Sequence, residues 1–324
     1  MQGLRVRRLA STGPPFLGAH VVMPLRARLG RARLLHGPAN ALPLFSAGLP
    51  GVVTLHDLAI YEHPEWFPPG QWLSVRVIVP RSARRARVVI VPSRATQKAA
   101  IARFGLDPQR CRVIPHGVEP GFFRPLAPEA RTALFGELRL PERFILQVGT
   151  IQPRKNHVTS LRALAQLPEP ERIPLVLAGD FGWAFEPVVK TLRELGLESW
   201  VRFAGYVGPD RLPGLYQLAT AVLFPSLDEG FGLPVLEAFA SGVPVVASSA
   251  GALPEVARGA ALECPPQDAG AFADALLRVT RDASLRERLI AAGRQRARLY
   301  TWEAAASAHR EAYLEAVSGS RGEA

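Results

Sequence analysis

The chain has 324 residues, 48% of them hydrophobic, which suffices for packed cores in two domains and excludes a disordered protein. It has no run of about 18 apolar residues that would predict a transmembrane helix, and its two distant cysteines, Cys111 and Cys264, exclude a disulfide scaffold and a cysteine zinc site. The net charge of +11 comes from residues 1–125, which carry 18 Lys and Arg against 5 Asp and Glu, whereas the remainder carries 21 against 23.

The first part of the chain alternates short apolar runs with helical segments, a pattern that is typical of a parallel α/β layer. Its basic opening, Met1–Arg8, is not followed by an apolar run, so no cleaved signal peptide is predicted. Its excess charge indicates either an anionic partner or a codon bias, because only 3 of the 39 basic residues are lysine. The predicted strands are Arg33–His36, Val52–His56, Val88–Val91 and Arg112–Pro115, and the predicted helices are Gln71–Ala86 and Thr96–Phe104.

The stretch Glu119–Pro128 contains three prolines and is predicted to be an interdomain linker. A second α/β series follows it, so we predict an N-terminal lobe at 1–125, a C-terminal lobe at 126–298 and a last helical segment at 299–324. The predicted strands are Phe144–Val148, Pro174–Ala178, Val201–Phe203, Ala221–Phe224, Val243–Ala247 and Ala261–Cys264, and the predicted helices are His157–Leu167, Pro187–Leu195, Leu212–Leu218, Pro234–Ala240, Phe272–Thr280, Ser284–Arg298 and Trp302–Val317.

A basic loop lies between the predicted strand Phe144–Val148 and the next helix. Ligands of open α/β sheets bind beyond the carboxyl ends of the strands, so this position suits a ligand. Gly149 lets the backbone approach such a ligand, and Arg154 and Lys155 can pair with phosphate oxygens. The alternative interpretation is a solvated basic turn. Because the chain has no G-x-G-x-x-G motif, a dinucleotide site is not indicated.

A glycine-rich turn after the strand Ala221–Phe224 is flanked by two glutamates, Glu229 and Glu237. The turn Gly230–Gly232 exposes backbone N–H groups at the start of a predicted helix, where the helix dipole adds positive potential. Carboxylates accept hydrogen bonds from sugar hydroxyls, whereas the N–H groups bind phosphate. The segment therefore predicts a ligand with hydroxyls at both ends and phosphates between them, such as a nucleotide sugar.

These motifs resemble the retaining glycosyltransferases of family 4, which have the two-domain GT-B fold with two Rossmann-like lobes facing a cleft. The resemblance covers about residues 33–318 and is most specific from Phe203 to Ala257. It is carried by Glu229 and Glu237 with the core Glu229–Pro234, by Gly149 with Arg154 and Lys155, by Ala178–Asp180 and by Ser241–Val245.

The resemblance implies a role for each matching residue. Arg154 and Lys155 would hold the diphosphate, Glu229 and the turn after it would face the transferred sugar, and Glu237 would bind the ribose. The last helix, from Trp302, would cross back to the first lobe. The donor-binding residues implied in this way are Gly149, Arg154, Lys155, Gly205, Val207, Glu229, Gly230, Phe231, Gly232, Leu233 and Glu237.

A histidine ends the predicted strand Val52–His56. Such a residue is more often a packing or capping residue, but His56 matches the family's cleft histidine near the transferred sugar. The catalytic candidates are therefore His56, Glu229, Arg154 and Lys155. The run Thr54–Trp66 is most similar to bacterial mannosyltransferase-like members that build cell-surface polysaccharides, which favours GDP-mannose as the donor.

The beginning of the chain departs from the family pattern. Members usually begin with a strand, a glycine-rich loop and a long helix, whereas here only residues 1–33 precede the region from Leu34, with Gly13-Pro14-Pro15 as a weak match. We therefore expect a truncated N-terminal lobe, either because the start was assigned too late or because the elements are lost.

The predicted function is metal-independent, retaining transfer of a sugar from a nucleotide-diphosphate sugar to a glycan or a lipid-linked phosphorylated acceptor, with no other cofactor. In the implied mechanism the acceptor attacks the front face of the sugar, the leaving phosphate takes the acceptor proton, and His56 tunes the site. The basic first lobe predicts a cytoplasmic protein that contacts the inner, anionic face of the membrane peripherally.

Other functions remain open at this point. The same fold could bind a sugar nucleotide without turnover because of the short first lobe. A nucleic-acid-binding protein lacks support, since no recognition motif is present and no nucleic acid partner is predicted. A pyridoxal-phosphate phosphorylase needs a Schiff-base lysine among only three lysines, and a sugar-nucleotide epimerase lacks the two-glutamate signature.

Overall fold

Two parallel β-sheets organise the computed structural model of the chain, which describes residues 15–318. The basic opening Met1–Arg8 and residues 13 and 14 therefore lie outside the described residues. Within the described range, every helix is too short or too polar to cross a bilayer. The strands are β1 Leu35–Gly37, β2 Gly51–Thr54, β3 Val88–Val91, β4 Cys111–Val113, β5 Ile145–Val148, β6 Leu175–Ala178, β7 Val201–Gly205, β8 Ala221–Phe224, β9 Val245–Ser248 and β10 Leu262–Cys264.

The first lobe is built on the four-stranded sheet β1-β2-β3-β4, in which every neighbouring pair is parallel. Every residue of β2 and β3 is buried, which agrees with their runs of valine and with helices on both faces of a parallel sheet. The helices of this lobe are α1 Pro15–Leu17, α2 Met23–Leu29, α3 Ala59–Glu62, α4 Val79–Arg85 and α5 Arg94–Phe104.

The second lobe is built on the six-stranded parallel sheet β10-β9-β8-β5-β6-β7. From β5 the chain adds strands in one direction as far as β7 and then returns to the other side of β5 with β8. The gap between β5 and β8 is thus a topological switch point, where open α/β sheets bind ligands beyond the carboxyl ends of the strands. The helices of this lobe are α6 Pro128–Glu137, α7 His157–Gln166, α8 Glu186–Glu194, α9 Leu212–Leu218, α10 Leu233–Ser241, α11 Leu253–Ala257, α12 Ala269–Arg281 and α13 Ala283–Ala297.

The second sheet separates two hydrophobic cores. Leu146 and Val222 pack into one core, whereas their chain neighbours Ile145 and Leu223 pack into the other. This alternation follows from the two-residue period of a strand. Because both faces are covered, the polar groups of this sheet that remain accessible to a ligand are concentrated at the strand ends.

The last helix, α14 Trp302–Ser318, packs against the first sheet although it follows the second lobe in the chain. Ala305, Ala312 and Ala316 lie on its buried face against Val88 and Ile90. The small alanines allow a close approach of the helix to the strands. The chain therefore passes between the lobes twice.

The structure confirms two α/β lobes, and it differs from the prediction in detail. The single predicted helix Gln71–Ala86 is a π-helical segment, Ser74–Ile78, followed by α4, because Pro80 has no N–H to continue an α-helical ladder. The predicted linker Glu119–Pro128 contains a 3₁₀ turn, Pro120–Phe123, and its last residue begins α6. The domain bounds and the truncation of the first lobe stay predictions.

Candidate active site

The loop after β5 lies at the switch point and touches the loop after β6. Gly149 has a φ of +139°, and a Cβ added to Gly179 (φ +153°) would lie 2.2 Å from the Gly149 carbonyl oxygen. Only glycine fits at residue 179, because any side chain would collide with the neighbouring backbone. This contact fixes the start of the basic loop at the carboxyl end of the sheet.

Three charged side chains meet between the loops after β5 and β8, and we call them the ion cluster: Arg154, Lys155 and Glu229. Lys155 Nζ lies 2.5 Å from Glu229 Oε1, and Arg154 Nη1 lies 2.8 Å from Glu229 Oε2. Only 14%, 11% and 8% of the Arg154, Lys155 and Glu229 side chains are exposed. The structure thus brings together three of the four predicted catalytic residues in a nearly water-free position.

The electrostatics of the ion cluster favour its charged form. Burial by itself would raise the pKa of Glu229, but Lys155 and Arg154 outweigh it, so the pKa of this carboxyl is below its usual value. Burial opposes the charge of Arg154, whereas Glu229 and Asp57 raise the pKa of the guanidinium above its usual value. Two cations share one carboxylate, so Arg154, Lys155 and Glu229 by themselves carry one formal positive charge, which suits a phosphate.

Hydrogen bonds to neighbouring backbone hold the basic loop in place. Asn156 has a φ of +55°, and its Nδ2 donates to the carbonyl oxygens of Pro225, at 2.9 Å, and Pro266, at 2.6 Å. The backbone N–H of Leu227 donates to the Arg154 carbonyl oxygen at 2.8 Å. Asn156 is not among the predicted site residues. An asparagine directly after two basic residues could have indicated a sharp turn at the end of the basic loop, because asparagine adopts the left-handed conformation more readily than most residues.

The N-terminus of α10 lies beside the ion cluster. Gly232, with φ +106°, is its N-cap residue and provides no side-chain hydrogen bond to the first-turn N–H groups. These groups and the helix dipole are the type of site that binds anions. The Phe231 side chain is buried against the rings of His116 and Tyr300, at centroid distances of 5.3 and 5.7 Å. The Phe231 side chain is thus engaged in packing, and Leu233 is half-buried against the core.

The second glutamate, Glu237, lies in α10 and is mostly buried. Its Oε2 accepts a hydrogen bond of 2.9 Å from the Tyr216 hydroxyl. Burial raises the pKa of Glu237, whereas the Tyr216 hydrogen bond and the charge of Lys155 lower it without cancelling the effect. Glu237 is therefore within electrostatic range of the ion cluster but has a separate hydrogen-bond partner, Tyr216, which sequence reasoning missed.

Two of the predicted donor-binding residues, Gly205 and Val207, lie at and just after the end of the edge strand β7. Gly205 ends β7 with φ +67°, and its carbonyl oxygen accepts a hydrogen bond from the Gly179 N–H at 2.8 Å. Val207 is buried, whereas the Tyr206 ring between them is 71% exposed. The backbone N–H of Tyr206 donates to Asp180 Oδ1 at 3.1 Å. The residues after β7 are thus tied to the loop after β6.

The two lobes touch at His56 and Gly230. A Cβ added to Gly230 would lie 1.9 Å from the His56 carbonyl oxygen, so the lobe contact itself requires glycine. The imidazole Nε2 of His56 donates to the Pro38 carbonyl oxygen at 2.7 Å, which makes Nδ1 the acceptor nitrogen of the neutral ring. The His56 backbone N–H donates to Asn40 Oδ1 at 2.9 Å. The fourth predicted catalytic residue therefore lies next to the turn that follows Glu229.

An acidic cavity of about 350 Å³ lies between the lobes and is lined by Gly230. Asp57, Glu62, Asp228 and Glu229 line it together with Lys98, whereas the two cations of the ion cluster do not. Burial raises the pKa of Asp228, and the nearby carboxylates Glu229, Glu62 and Asp57 add to this effect. Within residues 15–318, no three His, Cys, Asp or Glu side chains are arranged to hold a metal ion.

Two family models match the chain and together cover both lobes. The family described as "Glycosyl transferases group 1" matches residues 132–296, and "Glycosyltransferase Family 4" matches residues 4–122.

Curated relatives are similar over most of the chain. O-antigen chain mannosyltransferase B of Escherichia coli is 32% identical over 275 residues, which are 83% of this chain and 71% of that protein. D-inositol 3-phosphate glycosyltransferase of Frankia alni is 34% identical over 291 residues, which are 84% of this chain and 70% of that protein.

Solved structures share the fold. Sucrose-phosphate synthase from Thermosynechococcus elongatus aligns with a TM-score of 0.76 and 26% identity. The alignment covers 94% of this chain and 79% of the synthase chain. Anabaena HepE, in complex with UDP-glucose, aligns with a TM-score of 0.76 and 23% identity. The alignment covers 92% of this chain and 81% of the HepE chain. The GT-B fold and the family resemblance are thereby confirmed: the chain belongs to the group 1, family 4 glycosyltransferases.

Proposed function

We propose that this glycosyltransferase moves a hexose, with retention of configuration, from a nucleoside-diphosphate sugar to a glycan or lipid-linked acceptor in polysaccharide synthesis. The observation that carries the proposal is that Arg154 and Lys155 both contact the buried carboxylate of Glu229 at the switch point. Similarity to an E. coli mannosyltransferase favours GDP-mannose, and the UDP-glucose bound by HepE makes UDP-glucose the competing donor.

The donor diphosphate would bind Arg154, Lys155 and the N–H groups at the start of α10. These groups are preorganised where negative charge grows as the sugar–phosphate bond breaks, which is usually the largest contribution to catalysis. They supply the positive charge from the protein itself, which supports a metal-independent reaction. Glu237 would accept hydrogen bonds from the ribose, and the base would lie over the backbone at Gly205 and Val207.

In the transfer step, an acceptor hydroxyl oxygen forms a bond to the anomeric carbon on the face from which the diphosphate departs. The bond between that carbon and the phosphate oxygen breaks, and the leaving phosphate oxygen takes the acceptor proton. Glu229 and the acceptor nitrogen of His56 would orient the hydroxyls of the transferred sugar. No covalent intermediate with the protein is required.

The acceptor would enter the acidic cavity between the lobes. Its carboxylates Asp57, Glu62 and Asp228 can accept hydrogen bonds from sugar hydroxyls but would repel a phosphate. A phosphate on the acceptor must therefore bind elsewhere on the first lobe.

A basic groove of about 700 Å³ on the first lobe is suited to that phosphate or to an anionic headgroup. It is lined by Arg76, Arg84 and Arg103, and the nearby Trp72 and Leu73 are 63% and 43% exposed. Arginines beside exposed aromatic and aliphatic side chains are typical of surfaces that contact lipid headgroups. This groove supports peripheral contact with the inner, anionic face of the membrane.

The deciding experiment is a turnover assay of the purified protein with GDP-mannose and UDP-glucose, with and without EDTA, followed by NMR of the product anomer. We expect release of one nucleoside diphosphate, an unchanged rate with EDTA and a product with the donor's anomeric configuration. Nucleotide binding without turnover on any donor and acceptor would instead support the second candidate, a sugar-nucleotide-binding protein without catalysis. An inverted product would contradict the retaining mechanism.

A further inference from the structure

We propose that Glu255 is a positioning residue that holds the two lobes in their closed arrangement; the inference deepens the proposed function and rests on it. Glu255 lies in α11 of the second lobe, yet its carboxylate accepts hydrogen bonds from the first lobe. The N–H of Arg94 donates to Oε1 and Oε2 at 3.1 and 2.9 Å, and the N–H of Ala95 donates to Oε2 at 3.3 Å. One side chain therefore bridges the cleft.

The partner of Glu255 is the N-terminus of α5, an 11-residue helix whose first-turn N–H groups have no carbonyl partner one turn earlier in the helix. The side-chain oxygen of the N-cap residue Ser93 accepts from the N–H of Thr96 at 3.0 Å, and its carbonyl oxygen accepts from the N–H of Gln97 at 3.0 Å. The N–H groups of Arg94 and Ala95 thus need another acceptor, and an anion there also interacts favourably with the helix dipole. A carboxylate from the opposite lobe meets both requirements.

The contact is directly connected to the ion cluster. Three residues before Glu255, the N–H of Ala252 donates to the Glu229 carbonyl oxygen at 2.9 Å. From the first lobe, Thr96 Oγ1 donates to the Gly230 carbonyl oxygen at 3.0 Å. The segment that carries Glu229 is therefore held from both sides, by α11 and by α5, and the two helices are joined through Glu255.

The backbone around Glu255 is itself fixed within the second lobe. Arg296 in α13 donates from Nε to the Val256 carbonyl oxygen and from Nη2 to that of Glu255, both at 2.9 Å. The carboxylate therefore projects from an anchored turn, and losing it affects the lobe contact rather than the position of α11. Closure through Glu255 would bring His56 to Gly230 and so complete the site for the transferred sugar.

The test removes the contact from each side separately. Glu255→Ala removes the acceptor. Arg94→Pro removes the main N–H donor, because proline is favoured at the first helical position and Ser93 before it is already extended. Arg94→Ala keeps that N–H and loses only an exposed side chain, so it is the matched control; Glu263→Gln on β10 is a control for the loss of a carboxylate.

We expect Glu255→Ala and Arg94→Pro each to lower transfer by about 10-fold, with a double variant no worse than either alone. Affinity for GDP and UDP should change less than about 2-fold, because the diphosphate site lies in the second lobe. Small-angle scattering should show a larger radius of gyration in both variants and no increase in the controls.

Unchanged dimensions in Glu255→Ala and Arg94→Pro would overturn the proposal, as would equal losses in the Arg94→Ala control. If Glu255→Ala and Arg94→Pro lowered nucleotide affinity as much as transfer, and lowered the melting temperature as well, the role of Glu255 would be merely structural. That result would also overturn the proposal. The scattering measurement does not need turnover. Failure of the proposed function, seen as absence of transfer in the unmodified protein, is therefore distinguishable from failure of this inference.

Discussion

Lys155 Nζ lies 2.5 Å from Glu229 Oε1, and the other oxygen of the same carboxylate contacts Arg154. The two side chains expected to bind a diphosphate thus already bind an anion. A donor diphosphate must share the cations with Glu229 or displace it, so donor binding and the orientation of Glu229 are coupled. This coupling separates the effects expected for substitutions at the three positions.

Replacing Lys155 with alanine should weaken binding of GDP or UDP by about 10- to 100-fold, because a charge-assisted hydrogen bond to phosphate is lost. Isothermal titration calorimetry measures this change directly. Lys190→Ala is the matched control, since the Lys190 side chain is 76% exposed and pairs with Glu194 one turn away in α8. Equal affinities in both variants would contradict a diphosphate site at Lys155.

Replacing Glu229 with glutamine should lower transfer by about 100- to 1,000-fold while nucleotide binding persists, because the neutral amide cannot orient the sugar as a carboxylate does. Removing one charge from a buried ion cluster also costs about 3–5 kcal/mol of folding free energy. Bound nucleotide should therefore raise the melting temperature of the variant more than that of the unmodified protein. Near-normal turnover would remove Glu229 from the mechanism.

Replacing Gly230 with alanine should impair transfer and open the cleft, because its Cβ would lie 1.9 Å from the His56 carbonyl oxygen. Gly136→Ala is the control: it has open space around it in α6, and helix propensity predicts a gain of about 0.5–1 kcal/mol. Turnover and small-angle scattering of both variants test the contact. Normal activity of Gly230→Ala would mean that the lobes need not touch here.

Three histidines with lowered pKa values, His157 buried and His36 and His116 half-buried, should make the fold less stable in acid. Burial, with weaker effects of neighbouring charged groups, lowers the pKa of His36 and His116 to about 4 and that of His157 to about 3. The folded protein therefore binds fewer protons than the unfolded chain between the ordinary value of 6.5 and these values. Stability should fall as pH decreases from 6.5 towards 4.

Thermal melts across this pH range check that sign. His36→Gln should flatten the dependence, since glutamine can keep a hydrogen bond to Thr54 or Tyr313 without titrating. A melting temperature that is constant from pH 6.5 to 4, or an unchanged slope in the variant, would contradict the assignment.

The buried strands and the glycine-rich turns could be predicted because their signals are local. The ranges predicted for β3 and β8 coincide with the observed ones, since each is a short apolar run that is buried throughout. Gly149, Arg154, Lys155 and Glu229 meet as their positions at strand ends suggested. In a parallel sheet, the carboxyl ends of neighbouring strands necessarily lie at one edge.

The remaining features depend on contacts between distant parts of the chain. Residue 230 must be glycine because of its contact with His56, which is far away in sequence. The role of Glu255 depends on the N-terminus of α5 in the other lobe. Contacts between distant residues have no local pattern, so a single sequence could not indicate them.

Two helices of the second lobe were also missing from the prediction. The short helix α11 has too few residues to show a helical period, and the prolines before α6 masked its start.

The two passages of the chain between the lobes lie against each other. The N–H of Val118 donates to the Tyr300 carbonyl oxygen at 3.0 Å, and a Cβ added to Gly117 would lie 2.3 Å from the Trp302 nitrogen. Because the two connections meet at one place, relative motion of the lobes must pivot there. Opening and closing of the protein should therefore produce small displacements at His116 and the largest ones at the rim of the cleft farthest from this pivot.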